Sequence, residues 1–350
     1  MTSITKKYLI NGPNNVVRLT DGVKVLYIFG DIHLESNEQT ECIYNDKYDS
    51  MDIDKFLLSF IRNNKSIKYD IFHEMSEISY FKNNHNTNYY KKKYINYIDK
   101  LFQSNIKKKY TNFKFHYMDI RDNLFLFDII QHYIPNYLDF NCIGKDYIYR
   151  LNELKKFIYL FKKSLNKNKY IIKLLNKYNN LKIKNKINKI YIFLIKNLKL
   201  YLLKINNLIK FIKLNTYNET ANVNNLYNDI NIKIDEDMND INLLFMNICV
   251  VLTDLYFIRR FLDKKYIKNG ILYTGLAHMA DISYLLVKYF NYKITHINYF
   301  SENIDINDYI MNLSDNNLNY ITIFTDLIRK KIDNKIYQCT DLFNFLNNFT

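Results

Sequence analysis

Two kinds of apolar pattern alternate over the first 140 residues and again after residue 240, and this alternation most limits the fold of the chain. Short β-branched and aromatic runs predict strands at 23–29, 69–72, 113–118, 271–274, 294–299 and, at an edge, 320–324. Longer runs at helical spacing predict helices at 52–62, 94–102, 124–133, 241–261 and 279–290. We therefore expect an α/β fold whose mainly parallel central sheet is flanked by helices.

A lysine-rich segment separates the two alternating regions. Residues 151–213 contain 17 lysines and a single acid, Glu153, so the charge of the chain, +15 in total, is concentrated there. Strand patterns are absent from this segment, and residues 214–240 are polar and increasingly acidic. We divide the chain into a first part of the α/β domain at 1–145, a helical insertion with a polar connection at 146–240, and a second part at 241–350. The strands on either side of the insertion would then share one sheet.

Cysteine usage and the apolar runs limit the compartment. The 4 cysteines are far apart and form no CxxC pair, which favours a reducing environment. The first 15 residues contain no apolar signal segment. The nearest approach to a membrane span, 187–212, is interrupted by lysines, so we predict no span. These features indicate a soluble intracellular protein that is not secreted.

Polar motifs follow four of the predicted strands directly. They are Gly30-Asp31-Ile32-His33, His73-Glu74, Asp119-Ile120-Arg121 and Gly275-Leu276-Ala277-His278. In α/β sheets the loops and helix N-termini at the carboxyl ends of the strands converge, and ligands bind there. We therefore predict that one site is built from His33, Glu74, Arg121 and His278.

The residue types at these strand ends suit hydrolysis of a small-molecule or peptide substrate. His33 and His278, with Asp31, could bind one divalent metal ion; alternatively, one histidine could activate water while Glu74 orients it. Arg121 is suited to hold a carboxylate, a phosphate or a developing oxyanion. The alternative for Asp31 is a cap on the following helix.

Two further histidines favour structural roles. His73 alternates with Glu74 along a strand, so only one of the two can face the site, and we favour Glu74. His116 lies in the middle of a strand, where a histidine is usually a hydrogen-bonded part of the core.

The order of these motifs resembles a known superfamily. Gly30-Asp31-Ile32-His33, Glu74 and the late Gly275-x-x-His278 are similar to motifs in erythromycin-esterase-like, haem-binding ChaN-like and TraB/Tiki-type proteins. The resemblance spans roughly 23–140 and 241–300 and implies an α/β fold and a strand-end site. Asp31 stands where those proteins usually have Glu, which shortens the reach of the carboxylate. The stretch from Thr253 to His278 also resembles uncharacterised proteins of giant DNA viruses, which implies a location in the host cytoplasm or the virion.

A calcineurin-like metallophosphoesterase is the alternative enzyme class. Asp31-x-His33 after an apolar strand also begins that pattern. The pattern then requires Gly-Asn-His followed by an acid, whereas Asn84-His85 is followed by Asn86. Later paired histidines are absent, so two metal ions would lack ligands.

A binding or structural protein with an idle site is the alternative outside enzymes. Within 186–213 the lysines and the apolar residues fall on opposite sides of a helix, which could lie on nucleic acid phosphates or an anionic membrane surface. Lysine is also the usual solvated residue of this chain, and the basic side lacks arginine and aromatic residues. We therefore favour a helix that covers the core over either partner.

Overall fold

The computed structural model describes residues 8–36, 38, 42, 49–75, 93–103, 110–120, 145–165, 169–176, 178–215, 223–313, 318–332, 335–342 and 345. The chain divides into two units. Unit 1 comprises Met1–Asp119, Tyr256–Asp315 and Tyr320–Thr350, and unit 2 comprises Ile120–Leu255 and Asn316–Asn319.

A six-stranded sheet forms the centre of unit 1. Its strands are β2 (Pro13–Thr20), β3 (Val25–Asp31), β5 (Tyr69–His73), β6 (Phe113–Tyr117), β7 (Asn269–Gly275) and β8 (Lys293–Ile297), in the spatial order β6-β5-β7-β3-β2-β8. Strands β6, β5, β7 and β3 run parallel to one another, whereas β2 is antiparallel to both β3 and β8. The sheet is therefore largely parallel, and β7 lies between β3 and β5, so the strands on either side of the insertion share one sheet as predicted.

Unit 1 also contains helices with buried apolar residues. They are α1 (Ile53–Asn63), α2 (Tyr94–Gln103), α7 (Leu276–Phe290), α8 (Ile306–Asn312) and α9 (Asn319–Ile328). In α1 the buried residues Ile53, Leu57, Phe60 and Ile61 lie on one side and join a core with strand residues such as Phe29. Helix α7 follows β7 directly and is almost wholly buried.

The predicted edge strand at 320–324 is wrong, because these residues lie in α9. Tyr320, Ile321, Phe324, Thr325 and Ile328 are buried and recur at helical spacing. A short apolar run does not distinguish a buried strand from a buried helix, and here the pattern beyond residue 324 decides for the helix.

A smaller sheet and a disulfide bond complete unit 1. Strand β1 (Tyr8–Asn11) pairs parallel with β4 (Asp49–Asp52) and antiparallel with β11 (Cys339–Asp341), and β9 (Lys331–Ile332) pairs with β10 (Lys335–Ile336). Cys42 and Cys339 are joined by a disulfide bond, so the reduced state that the wide spacing of the cysteines favoured is wrong for this pair. Cys249 is buried with a free thiol.

Helices form the described part of unit 2. They are α3 (Lys145–Leu165), α4 (Lys169–Asn176), α5 (Leu181–Asn215) and α6 (Val223–Asp263), of which the last enters unit 1 at Tyr256. The described residues of 151–213 contain no strand. Helix α6 begins inside the stretch that we assigned to a polar connection; a polar sequence can form an exposed helix without an apolar stripe. One segment of α6, Asn242–Asp263, is long and apolar enough to cross a membrane, and 72% of its apolar window is buried in the protein, as in a core helix.

Candidate functional site

Three neighbouring strands bring four polar side chains together at one edge of the sheet. Strands β3, β7 and β5 are adjacent and parallel, so their carboxyl ends coincide. Asp31 ends β3, Glu74 follows β5, and His278 lies in the first turn of α7 after β7. With His33, two residues beyond β3, they form what we call the strand-end cluster.

Glu74 is at the centre of the strand-end cluster. Its Oε2 accepts hydrogen bonds from the Gly275 backbone N–H at 2.5 Å and from the Thr274 hydroxyl at 2.8 Å. Its Oε1 lies 3.0 Å from Nε2 of His278, and Oε2 lies 3.6 Å from Nε2 of His33. Both carboxylate oxygens are therefore engaged by groups of the protein itself.

His33 is the most exposed member of the strand-end cluster, and its side chain is partly buried. Its side chain is 35% exposed, whereas those of Glu74 and His278 are 5% and 4% exposed. Its backbone has φ of 58°, in the left-handed region, and its N–H donates to Oδ1 of Asp31 at 2.9 Å. Non-glycine residues in this conformation cluster at functional sites, where local hydrogen bonds hold them.

Asp31 contacts His33 on the side opposite Glu74. Oδ2 of Asp31 lies 3.5 Å from Nδ1 of His33 and accepts a hydrogen bond from the hydroxyl of Tyr273 at 2.8 Å. Tyr273 is fully buried, and the sequence analysis missed it. The available signal was its position in β7: it lies two residues before Gly275, so both residues belong to the same face of the strand.

Gly275 has no side chain, and the imidazole of His33 and the carboxylate of Glu74 occupy the space beside it. A Cβ atom at this position would lie 2.9 Å from Nε2 of His33 and 3.4 Å from Oε2 of Glu74. The absence of a side chain at Gly275 thus allows His33 to approach Glu74.

Opposite charges shift the pKa values of the strand-end cluster. Burial opposes protonation of His33, but hydrogen bonds and charge from Asp31 and Glu74 outweigh it and raise the pKa of His33 to about 10. Burial also opposes ionisation of Glu74, but His278 and His33 outweigh it and hold the pKa of Glu74 well below its usual range. At neutral pH the partly buried ring of His33 is therefore an imidazolium beside two buried carboxylates.

The donor set of the strand-end cluster does not fit the metal site proposed from His33, His278 and Asp31. The Nε2 atoms of both histidines face the same carboxylate group, whose oxygens already accept hydrogen bonds from the protein. Among the described residues, no group of three or more His, Cys, Asp or Glu side chains is arranged to hold a metal ion.

The remaining sequence-predicted residues lie apart from the strand-end cluster or outside the described residues. Arg121 is outside them, so its predicted place in the site stays a prediction. Nε2 of His73 bonds to the Ile95 carbonyl oxygen, and burial lowers its pKa to about 4, which leaves it neutral. His116 bonds to Asp70 at 2.7 Å and to an Arg260 nitrogen at 2.9 Å, as expected for a core histidine.

The fold and the strand-end cluster define an α/β protein that gathers histidines and carboxylates at the carboxyl ends of a largely parallel sheet. The chain belongs to the family described as "Family of unknown function (DUF5847)", which matches residues 8–164 and 152–350.

Curated relatives of this chain occur in Acanthamoeba polyphaga mimivirus. "Uncharacterized protein R161" is 28% identical over the whole length of both chains, and "Uncharacterized protein R706" is 28% identical over 83% of this chain and 86% of its own. "Uncharacterized protein R129" is 36% identical over 35% of this chain and 78% of its own. No solved structure matches the chain. The relationship to giant-virus proteins therefore holds, whereas these matches give no support to the erythromycin-esterase-like superfamily.

Proposed function

We propose that the protein is a hydrolase of the esterase or peptidase class in which His33 transfers protons to and from the substrate. One observation carries this proposal: His33 is the most exposed member of the histidine–carboxylate cluster, with 35% of its side chain exposed, against 5% or less for the other members. A group that exchanges protons with a substrate has to be reachable, while the groups that set its pKa work best away from water.

The reaction begins with the neutral form of His33. Its imidazole accepts a proton from a water molecule as the water oxygen attacks the ester or amide carbonyl. The resulting imidazolium then donates that proton to the alkoxide or amine that leaves. Asp31 and Glu74 stabilise the imidazolium as it forms, which makes His33 a stronger base.

Glu74 and His278 act as positioning residues in this proposal. Both oxygens of Glu74 are occupied, so the carboxylate orients the two imidazoles and does not accept the proton of the water itself. Arg121, which lies outside the described residues, keeps its predicted role of steadying negative charge on the substrate. The resemblance of the motif order to that of erythromycin-esterase-like proteins, which the matches to known proteins do not support, is the sequence-based reason for choosing a hydrolase.

The test is a hydrolysis assay with p-nitrophenyl esters and short peptides at increasing pH. Because only neutral His33 is a base, kcat/KM should rise with pH until it levels off near 10. His33→Asn should lower kcat/KM by about 100-fold or more, the usual contribution of such a group. His296→Asn, which changes a histidine on β8, is the matched control and should hydrolyse like the unchanged protein.

Three results would contradict the proposal. The first is the absence of hydrolysis of every probe over the whole pH range. The second is a His33→Asn variant as active as the control. The third is activity that a chelator abolishes and a divalent metal ion restores. That result would favour a metal-dependent hydrolase instead.

A further inference from the structure

The solvent side of α5 carries both aliphatic and cationic side chains, and we call Lys189, Ile192, Lys196, Lys199, Leu200 and Leu203 the outer face of α5. All six residues are exposed. At about 100° per residue they fall within half of the helix circumference. The opposite side of α5 is buried and consists mainly of Ile187, Ile190, Leu194, Leu198, Tyr201, Ile205, Leu208 and Ile212. The apolar residues of the outer face are therefore not the ones that pack α5 into the core of unit 2.

Three aliphatic residues of the outer face are exposed close together on one helix. Ile192, Leu200 and Leu203 are 57%, 45% and 54% exposed, and they lie within three turns of one helix. Each is flanked by lysines of the same face. An aliphatic group in water is unfavourable in proportion to its exposed area, so a cluster of three indicates a surface that is covered by another apolar phase.

The charge of this region has one sign. Helix α5 contains no Asp or Glu in its sequence. Lys204 is paired with Asp240 at 2.6 Å, but it lies beside the outer face and does not belong to it. The region therefore attracts an anionic partner over its whole length.

Helix α3 adds basic and apolar groups next to α5, against which it packs. Tyr159, Lys162 and Lys163 of α3 and Ile195 of α5 line a small pocket of about 190 Å³. Tyr159 and Leu160 of α3 are also more than half exposed. Two ammonium groups beside an aromatic ring suit the phosphate of a lipid headgroup, with the ring at the level of the headgroups.

We propose that the outer face of α5 and the adjacent part of α3 dock on the surface of an anionic lipid bilayer. Lysines attract the headgroups, and their long side chains reach outward while Ile192, Leu200 and Leu203 enter the boundary between headgroups and acyl chains. A nucleic acid would use the lysines equally well, but its phosphate backbone offers nothing to three aliphatic side chains. The aliphatic residues therefore decide for lipid. This inference does not depend on the proposed hydrolase activity.

Vesicle co-sedimentation of the full-length protein tests the proposal. The protein should bind vesicles of phosphatidylcholine and phosphatidylserine at least about tenfold more tightly than vesicles of phosphatidylcholine alone, because each lysine near an anionic surface contributes to affinity. The triple variant Ile192→Asn/Leu200→Asn/Leu203→Asn and the double variant Lys196→Gln/Lys199→Gln should each lose about tenfold or more in affinity for the anionic vesicles.

Matched variants elsewhere on the chain separate docking from general effects. Ile323→Asn on α9 removes an exposed aliphatic residue, and Lys265→Gln/Lys293→Gln removes two exposed lysines; both should bind anionic vesicles like the unchanged protein. All substituted residues are exposed, so circular dichroism and thermal unfolding should show that the variants fold. Equal binding to both kinds of vesicle, or full binding by the aliphatic triple variant, would overturn the proposal. The proposal would also be overturned if the protein bound nucleic acid more tightly than vesicles and only the lysine variant lost that binding.

Discussion

Replacement of Glu74 by glutamine tests the strand-end cluster most directly, because the new side chain has the same shape and lacks the charge. Oε2 of Glu74 accepts from Gly275 N–H and the Thr274 hydroxyl, while Oε1 faces Nε2 of His278. In glutamine one of these oxygens becomes an NH₂ group. The single remaining oxygen can serve the two donors or His278, but not both.

The magnitude of the loss follows from the contacts of Glu74. A hydrogen bond to a charged group contributes about 1.5–3 kcal/mol, and removal of one partner from a buried ion pair costs about 3–5 kcal/mol. His278 can release its proton and accept a hydrogen bond from the amide, which recovers part of the loss. We therefore expect the free energy of unfolding of Glu74→Gln to fall by about 3 kcal/mol, and Tm to fall by roughly 6 °C at about 2 °C per kcal/mol for a chain of this size.

The assay combines thermal unfolding with amide hydrogen exchange. Glu153→Gln is the matched control, because Glu153 is partly exposed and lies 4.0 Å from Lys156 in a surface pair. Such a pair contributes about 0–1 kcal/mol, so Tm should hardly change in the control. Exchange of the Gly275 amide, whose N–H donates to Glu74, should accelerate in Glu74→Gln alone. Equal Tm values for the two variants, with unchanged protection of Gly275, would refute the central role of Glu74.

Three further predictions concern His33 and its neighbours. Folding raises the pKa of His33 from its ordinary value of 6.5 to about 10, so protonated His33 stabilises the folded state. This contribution to the free energy of unfolding should be complete below pH 6.5 and be lost as pH rises through about 10. The Tm difference between the unchanged protein and His33→Asn should therefore shrink over that pH range. Tyr273→Phe removes the hydroxyl that donates to Asp31, so the carboxylate should pair more strongly with His33 and move the midpoint of the pH–rate profile upward; an unmoved midpoint would leave Tyr273 a purely structural residue. Gly275→Ala should displace His33, visible as a changed imidazole NMR signal and a lower kcat, with a smaller fall in Tm than Glu74→Gln causes.

The strands with uninterrupted apolar residues were predictable, and β2 was not. Its sequence, Pro13–Thr20, includes the buried residues Asn14 and Asn15, which read as a loop. Their side-chain amides donate to carbonyl oxygens of Lys330, Tyr337, Tyr299 and Ile328, at separations of 284 to 323 residues. A local pattern contains no information about partners so distant, so the buried asparagines could not be recognised.

Within the candidate site, position along a strand was predictable and the supporting contacts were not. Alternation along β5 correctly chose Glu74 over His73, because the side chains of consecutive residues point to opposite faces. The hydroxyls of Tyr273 and Thr274 were missed, since residues inside an apolar strand give no sign of which polar atom they reach. The disulfide between Cys42 and Cys339 was not predictable either, because the two cysteines are 297 residues apart and no local pattern pairs them.

The position of β7 between β3 and β5 has a consequence for how the chain is made. The hydrogen bond from Thr274 to Glu74 spans 200 residues and that from Tyr273 to Asp31 spans 242 residues. During synthesis, β3 and β5 therefore leave the ribosome long before the strand that separates them, and each meanwhile presents an unpaired edge. Contacts of such high sequence separation form slowly, because the entropy cost of closing a long loop is paid before the contacts stabilise it. A nascent chain that stops before residue 269 thus contains two of the three strands that build the site and lacks the strand that pairs with both of them.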